Sequence, residues 1–279
     1  MQQLDLSNIS KAVILTIGYE LLQGRVINTN ASFIARKLYL LGINVKAMLV
    51  VGDDLRDIVE ALRLSVSSFD ADMIITTGGL GPTPDDRTLE AIATFAGLEL
   101  EVNPEALKDI EAKYRSKGVP LTEERLKMAM LPQGSIPLPN PVGIAPGVYL
   151  ALTRPKVIII ALPGVPQEME AIFEKYIEPQ LRKSRRLILA EGHIRLRTME
   201  SEIAGFIKQV SKSYPSTYIK SHPEGKELGK PVVKIYISAY SQDASSAEKL
   251  CTEVLRKFID YAHERSIDIA EVQECRSAT

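Results

Sequence analysis

Two adjacent carboxylates, Asp85 and Asp86, close a glycine-rich string, Thr76-Thr77-Gly78-Gly79-Leu80-Gly81-Pro82-Thr83-Pro84, and Arg87 and Thr88 follow them. The string comes after the apolar run Met73-Ile74-Ile75 and before Leu89, Ile92, Ala93 and Ala96, which recur at helical spacing. That order describes a buried strand, a glycine turn and a helix start. Such a turn holds phosphate, because glycines admit the ligand to bare backbone N–H groups beside a positive helix end. On this reading Gly78, Gly79 and Gly81, with Thr83 and Thr88, hold a phosphate or pyrophosphate. Carboxylates beside an anion make electrostatic sense when a cation is shared between them, so Asp85 and Asp86 are candidate metal ligands.

Three further constellations could do chemistry. Gly18-Tyr19-Glu20-Leu21-Leu22 and Asn28-Thr29-Asn30 follow the apolar run 12–17. Glu20 could join a metal shell, and Asn28, Thr29 or Asn30 could contact a ribose or phosphate or simply cap a helix. In Val51-Gly52-Asp53-Asp54 one aspartate is expected as a helix cap and the other is surplus. Asp53 lies nearer the strand end and is the one expected to point at a ligand. The last constellation joins 140–147, from Asn140 to Gly147, with 162–169, which contains Gly164 and Glu168. Few side chains there leave a flat slot for a base or pterin ring, and Gly164 and Glu168 suit a second phosphate or a metal.

The elements that must position these groups alternate strand and helix. Ile27, Ala31, Ile34, Ala35, Leu38 and Leu41 have helical spacing and end at Gly42. Residues 45–51 read as a second strand, Leu55 to Phe69 as a second amphipathic helix and 73–77 as a third strand. These are βαβ units of a doubly wound, mostly parallel α/β sheet, whose strand carboxyl ends share one edge. Residues 104–131, with Met128 and Met130, read as helical throughout, and 131–147 as a long Pro/Gly-rich loop. A hairpin is expected at 148–152 and 157–162, then a helix carrying Met169, Ile172, Phe173, Tyr176 and Ile177. Pro179 and the basic cluster Arg182-Lys183-Ser184-Arg185-Arg186, read as a solvated linker, set the boundary between domains at 1–178 and 179–279. The second is a small α+β layer that closes on a long helix.

The chain has 279 residues, 45% hydrophobic and 25% charged, with a formal net charge of −1. That near-neutral balance argues against general affinity for nucleic acid or anionic membrane. The two cysteines, Cys251 and Cys275, make no disulfide framework or zinc knuckle and read as inert, which makes a reducing cytoplasm the expected location. No signal peptide or spanning segment is visible. The three histidines lack metal-ligand spacing, and no nucleophile elbow or Walker motif occurs.

Taken together, the motifs resemble the N-terminal part of the competence/damage-inducible protein CinA family, over about residues 11–178. The main domain of that family is of the molybdopterin-binding type found in molybdenum cofactor biosynthesis. The later residues are similar in layout to its small KH-like domain. Gly225 and Gly229 stand in a strand-rich region with three residues between them, so they do not form the Gly-x-x-Gly loop of an RNA-binding KH domain. The resemblance implies a metal-dependent hydrolase that cleaves ADP-ribose to AMP and ribose 5-phosphate. It also implies a divalent cation, cobalt or magnesium, with potassium as well, and a homodimer. Asp86, Asp53 and Glu20 would be catalytic, and Asp85, Asp86, Asp53 and Glu168 would hold metal. Gly78, Gly79, Gly81, Thr83, Thr88, Asn28, Asn140, Gly147 and Gly164 would bind the nucleotide. Molybdopterin binding or adenylylation is the alternative, with non-catalytic nucleotide binding a third. The family's nicotinamide-nucleotide amidase domain is expected to be absent.

Overall fold

The sequence Ala-Val-Ile-Leu-Thr-Ile is too apolar and too β-branched for a surface, and it forms the centre of a sheet as β1 (Lys11–Ile17). In the computed structural model, which describes residues 4–184, 187–224, 229 and 231–277, the chain divides into two compact units. The first comprises Met1–Tyr39 with Ile43–Ser184, the second Leu40–Gly42 with Arg185–Thr279.

In the first unit β1 leads through α1 (Tyr19–Leu22) and α2 (Thr29–Leu40) to β2 (Asn44–Val51). Next come α3 (Leu55–Ser67), β3 (Met73–Thr77), α4 (Thr88–Ala96), β4 (Leu100–Val102), α5 (Pro104–Ser116), α6 (Glu123–Leu126), β5 (Met130–Pro132) and β6 (Ile136–Leu138). The unit finishes with β7 (Gly147–Thr153), β8 (Lys156–Leu162), α7 (Pro166–Ile172) and α8 (Glu178–Lys183). The sheet order is β2-β1-β3-β8-β7-β6. The first four strands are parallel, and β7 and β6 add antiparallel pairs at one side. The chain leaves β1 for β2 on one side and reaches β8 beyond β3 on the other. This reversal lies between β1 and β3, and it opens a crevice at their carboxyl ends.

Several local expectations fail for identifiable reasons. The stretch 104–131 is not one helical block: α5 stops at Ser116, and Gly118 turns the chain at φ 65° two residues before Pro120. A 3-10 turn, Lys127–Ala129, then buries Met128 in the core, while Met130 begins β5, which pairs with β4. The 131–147 passage is not structureless, because β6 lies inside it and pairs with β7. The helical segment also continues past residue 178. Arg182 is no solvated linker charge, since its guanidinium donates twice to Glu178 Oε1, at 3.0 and 2.6 Å. Arg185, Arg186 and Gly225 lie outside the described residues.

The second unit runs β9 (Ile188–Leu196), α9 (Glu200–Ser213), β10 (Thr217–Glu224), β11 (Val232–Ser241), α10 (Ala244–Glu264) and β12 (Ile269–Ser277). Its sheet is antiparallel, in the order β10-β11-β9-β12. Ile194, Ile235 and Ile237 from the strands share a core with Ile203, Val254 and Phe258 from the two helices. Among the described residues of both units, no helix is long and apolar enough to cross a membrane.

The two cysteines, expected to be unpaired, form a disulfide between α10 and β12. The strand β12 escaped the sequence reading because nearly all its residues except Cys275 are exposed or half-exposed, which leaves no apolar alternation. Pairing on β9 returns the chain beneath α10 and brings the Cα atoms of Cys251 and Cys275 to 5.8 Å. Closing a loop across a separation of 24 residues restricts the unfolded chain, an effect worth about 3 kcal/mol. Iodoacetamide added in denaturant without reductant should leave both cysteines unlabelled. Dithiothreitol should expose both and lower the urea-unfolding free energy by about 3 kcal/mol. Labelling of either cysteine before reduction would rule out the pair.

Candidate functional site

At the carboxyl ends of β1, β3 and β8 the backbone leaves room only for glycine. Gly78 adopts φ 101°, its N–H donates to Leu162 O of β8 at 3.1 Å, and a Cβ there would stand 2.2 Å from Ile17 O of β1. Gly164 closes on the same point, where a Cβ would lie 3.3 Å from Gly78 Cα. The turn is braced from α4: Thr88 Oγ1 donates to Gly78 O at 2.7 Å and Thr88 N donates to Gly79 O at 3.2 Å.

Around this junction lies a cavity of about 620 Å³. Loops after four strands line it: Gly18 and Glu20 after β1, Asp53 after β2, Gly78 to Pro82 with Asp85 and Asp86 after β3, and Pro163 to Val165 with Glu168 after β8. Residues 142–145 form another wall, and Tyr114, Lys117 and Met128 a further one. Two lysines latch the walls together. Lys113 Nζ donates to Asn140 O at 2.8 Å, and Lys127 Nζ donates to Thr83 O.

Three of the carboxylates lie folded over glycines. A Cβ at Gly18 would meet Glu20 Oε1 at 2.4 Å, one at Gly81 would meet Asp86 Oδ2 at 2.6 Å, and one at Gly143 would meet the Glu168 carboxyl carbon at 2.2 Å. Asp86 Oδ2 also accepts from Thr83 N at 2.8 Å and from Thr83 Oγ1 at 2.6 Å. Glu168 Oε2 accepts from Asn140 Nδ2 at 2.6 Å, while Oε1 has no protein donor among the described residues. Asp54, not Asp53, caps α3, accepting from Arg56 N. Asp53 accepts instead from Tyr19 N at 3.1 Å and faces the cavity.

Burial pushes the Asp53 carboxyl above its ordinary value, and the negative charges of Glu20, Asp85 and Asp86 push it further the same way. Asp85 is held below the ordinary range by hydrogen bonding within its own turn, with a smaller contribution from Lys127. Gly79, Leu80 and Gly81 line the cavity, and their N–H groups have no protein acceptor among the described residues. Successive N–H groups of this kind are anion donors.

The structure therefore brings together Glu20, Asp53, Gly78, Gly79, Gly81, Asp85, Asp86, Gly164 and Glu168. Other expected ligand contacts serve the scaffold. The Gly78 N–H is taken by Leu162, and Thr88 is wholly buried as the brace of the turn, its N–H and hydroxyl both spent on the carbonyls of Gly79 and Gly78. Thr83 is occupied with Asp86 and is not part of the lining. Asn28 Oδ1 accepts from Ala31 N at the start of α2, and its Nδ2 donates to Thr16 Oγ1. Buried Asn140 ties its own loop, donating to Ala145 O and Glu168 and accepting from Val142 N and Gly143 N. Gly147 pairs in β7 and packs against Ile172 away from the cavity.

The expected metal set does not assemble. Among the described residues no three His, Cys, Asp or Glu side chains converge closely enough to hold a metal ion. Asp53, Asp86 and Glu168 are each tied to a different donor, so the carboxylates do not fit a preformed metal centre. Tyr114 and Lys117 were invisible as site residues in the sequence, because they sit at the end of an ordinary amphipathic helix with no motif around them.

Residues 13–183 match the family described as a probable molybdopterin binding domain. A protein of Pyrobaculum calidifontis is 46% identical over 256 residues, covering 89% of this chain and 94% of its own. A protein of Aeropyrum pernix is 40% identical, covering 95% of this chain and 98% of its own. Among solved structures, the protein CinA of Thermoplasma acidophilum, described as of unknown function, is 42% identical with a TM-score of 0.57. That match covers 63% of this chain and 99% of the other.

The Asp53 environment makes stability depend on pH. The folded chain holds the Asp53 proton more tightly than the unfolded chain does. Stability from this group therefore falls as pH rises from the ordinary aspartate value through the raised one, and it stays lower above that. Asp53→Asn keeps an acceptor for Tyr19 N and removes the charge. The variant should melt at a higher temperature than the parent at neutral pH, and the gain should vanish as pH drops below the ordinary aspartate value. Equal melting temperatures at neutral pH would show that the carboxylates do not repel.

Proposed function

The chain belongs to the family of probable molybdopterin binding domains and is CinA-like, and on that premise we propose that its crevice binds a phosphate-bearing pterin of the molybdopterin kind. One observation carries this reading: a single cavity combines the unoccupied N–H groups of Gly79, Leu80 and Gly81 with the free carboxylate oxygen of Glu168 and the carboxylate of Glu20. The N–H run suits a phosphate oxygen. A carboxylate suits the amino-pyrimidine edge of a pterin, where two N–H donors can meet its oxygens in charge-assisted hydrogen bonds. Residues 142–145 and 163–165 line the ring's space with glycine, proline and aliphatic residues. The volume of about 620 Å³ is that of a small-ligand site.

A second reading, hydrolysis of a nucleotide diphosphate such as ADP-ribose, draws on the raised Asp53 carboxyl. Negative charge accumulates there that a ligand-borne cation would relieve.

Isothermal titration with molybdopterin, beside an ADP-ribose turnover assay in magnesium or cobalt, separates the two. The pterin reading expects saturable binding and intact ADP-ribose. It also expects Glu168→Gln, which keeps the acceptor for Asn140, to weaken binding roughly 10- to 100-fold through loss of a charged hydrogen bond. Absence of pterin binding in the parent chain sinks the first reading. Metal-dependent ADP-ribose cleavage that disappears in Asp53→Asn would put the second in its place.

A further inference from the structure

Five carboxylates line the cavity, from Glu20, Asp53, Asp85, Asp86 and Glu168, and Lys117 is the one cationic side chain among the described lining residues. Any phosphate entering this space meets strong like-charge repulsion that backbone N–H groups alone answer poorly. Lys117 caps α5, where its N–H donates to Tyr114 O at 3.0 Å, and its ammonium makes no ion pair among the described residues.

Tyr114 lies three residues earlier, on the same side of the helix, and also lines the cavity. The Arg125 guanidinium sits 4.8 Å from the centre of its ring and covers one face. The ring is anchored in the core and its hydroxyl has no partner among the described residues. Lys113, one residue before it, holds the 140–145 loop through Asn140 O, and residues 142–145 of that loop line the same cavity. Met128, also lining the cavity, is buried in the same core as the Tyr114 ring.

We propose that Tyr114 and Lys117 are the specificity pair of the cavity. Tyr114 is the surface on which a heteroaromatic ring stacks, and Lys117 is the charge that selects the phosphorylated ligand over its dephosphorylated counterpart. The inference rests on the cavity being a site for a phosphate-bearing ring, but it does not require that ring to be a pterin.

The test measures affinities of the full chain for a pterin monophosphate and the matching unphosphorylated pterin, and separately for AMP and adenosine. The parent should prefer the phosphorylated member of at least one pair by about tenfold or more. Lys117→Ala should abolish that preference without weakening the unphosphorylated ligand, and Lys117→Arg should retain it. Tyr114→Ala should weaken both members of the pair equally, about tenfold, while Tyr114→Phe should bind as the parent does. If the AMP pair behaves this way and neither pterin binds, the pterin reading fails and the specificity pair stands. A full phosphate preference in Lys117→Ala, or none in the parent for either pair, overturns the inference.

Discussion

The crevice depends on one steric constraint, the meeting of three strand ends at Gly78. Ile17 O of β1 stands where a Gly78 Cβ would be, and Leu162 O of β8 accepts from the Gly78 N–H at the end of β3. A side chain there would have to displace backbone, which close-packed strands cannot yield cheaply. Because β1 and β3 straddle the switch point, the loops that follow them must diverge, and the space between them becomes the cavity. Thr88 and Gly164 then lock the turn from either side.

The same economy of space shapes the electrostatics. Glu20, Asp86 and Glu168 each lie over a glycine, so their carboxylates sit against backbone where a Cβ would otherwise stand. With Asp53 and Asp85 they give the cavity an acidic character, felt most at Asp53, where burial and the neighbouring charges act together. Such a surface accepts hydrogen bonds readily and resists bare anions. A donor-rich ring carrying a phosphate, with a backbone N–H run for the phosphate, fits that character better than a simple anion does.

Much of the first unit was legible because β1 and β3 are buried on both faces and read as unbroken apolar runs, while α3 carries a clear helical stripe. The glycine turn and its acids were legible too, since strand carboxyl ends share one edge. Asn28, Asn140, Thr88 and Gly147 lie outside the lining of the cavity, for one shared reason. Polar or small residues beside a site look alike in sequence whether they face the ligand or hold the loop that does. All four hold the scaffold here. The break after α5 was signalled by Gly118 and Pro120, which the helical periodicity on either side obscured.

The sequence alone determined the alternation of strands and helices, the class of the fold and the loops that gather at its crevice, because periodicity and glycine are local properties. Tertiary structure decided which groups in those loops remain free. Whether an amide or hydroxyl is available depends on partners far away in the chain, as Gly78 with Leu162 and Asn140 with Glu168 show. It also decided that Tyr114 and Lys117 belong to the cavity and that Cys251 meets Cys275. Those pairings arise where distant segments converge in space, and no short-range pattern encodes them.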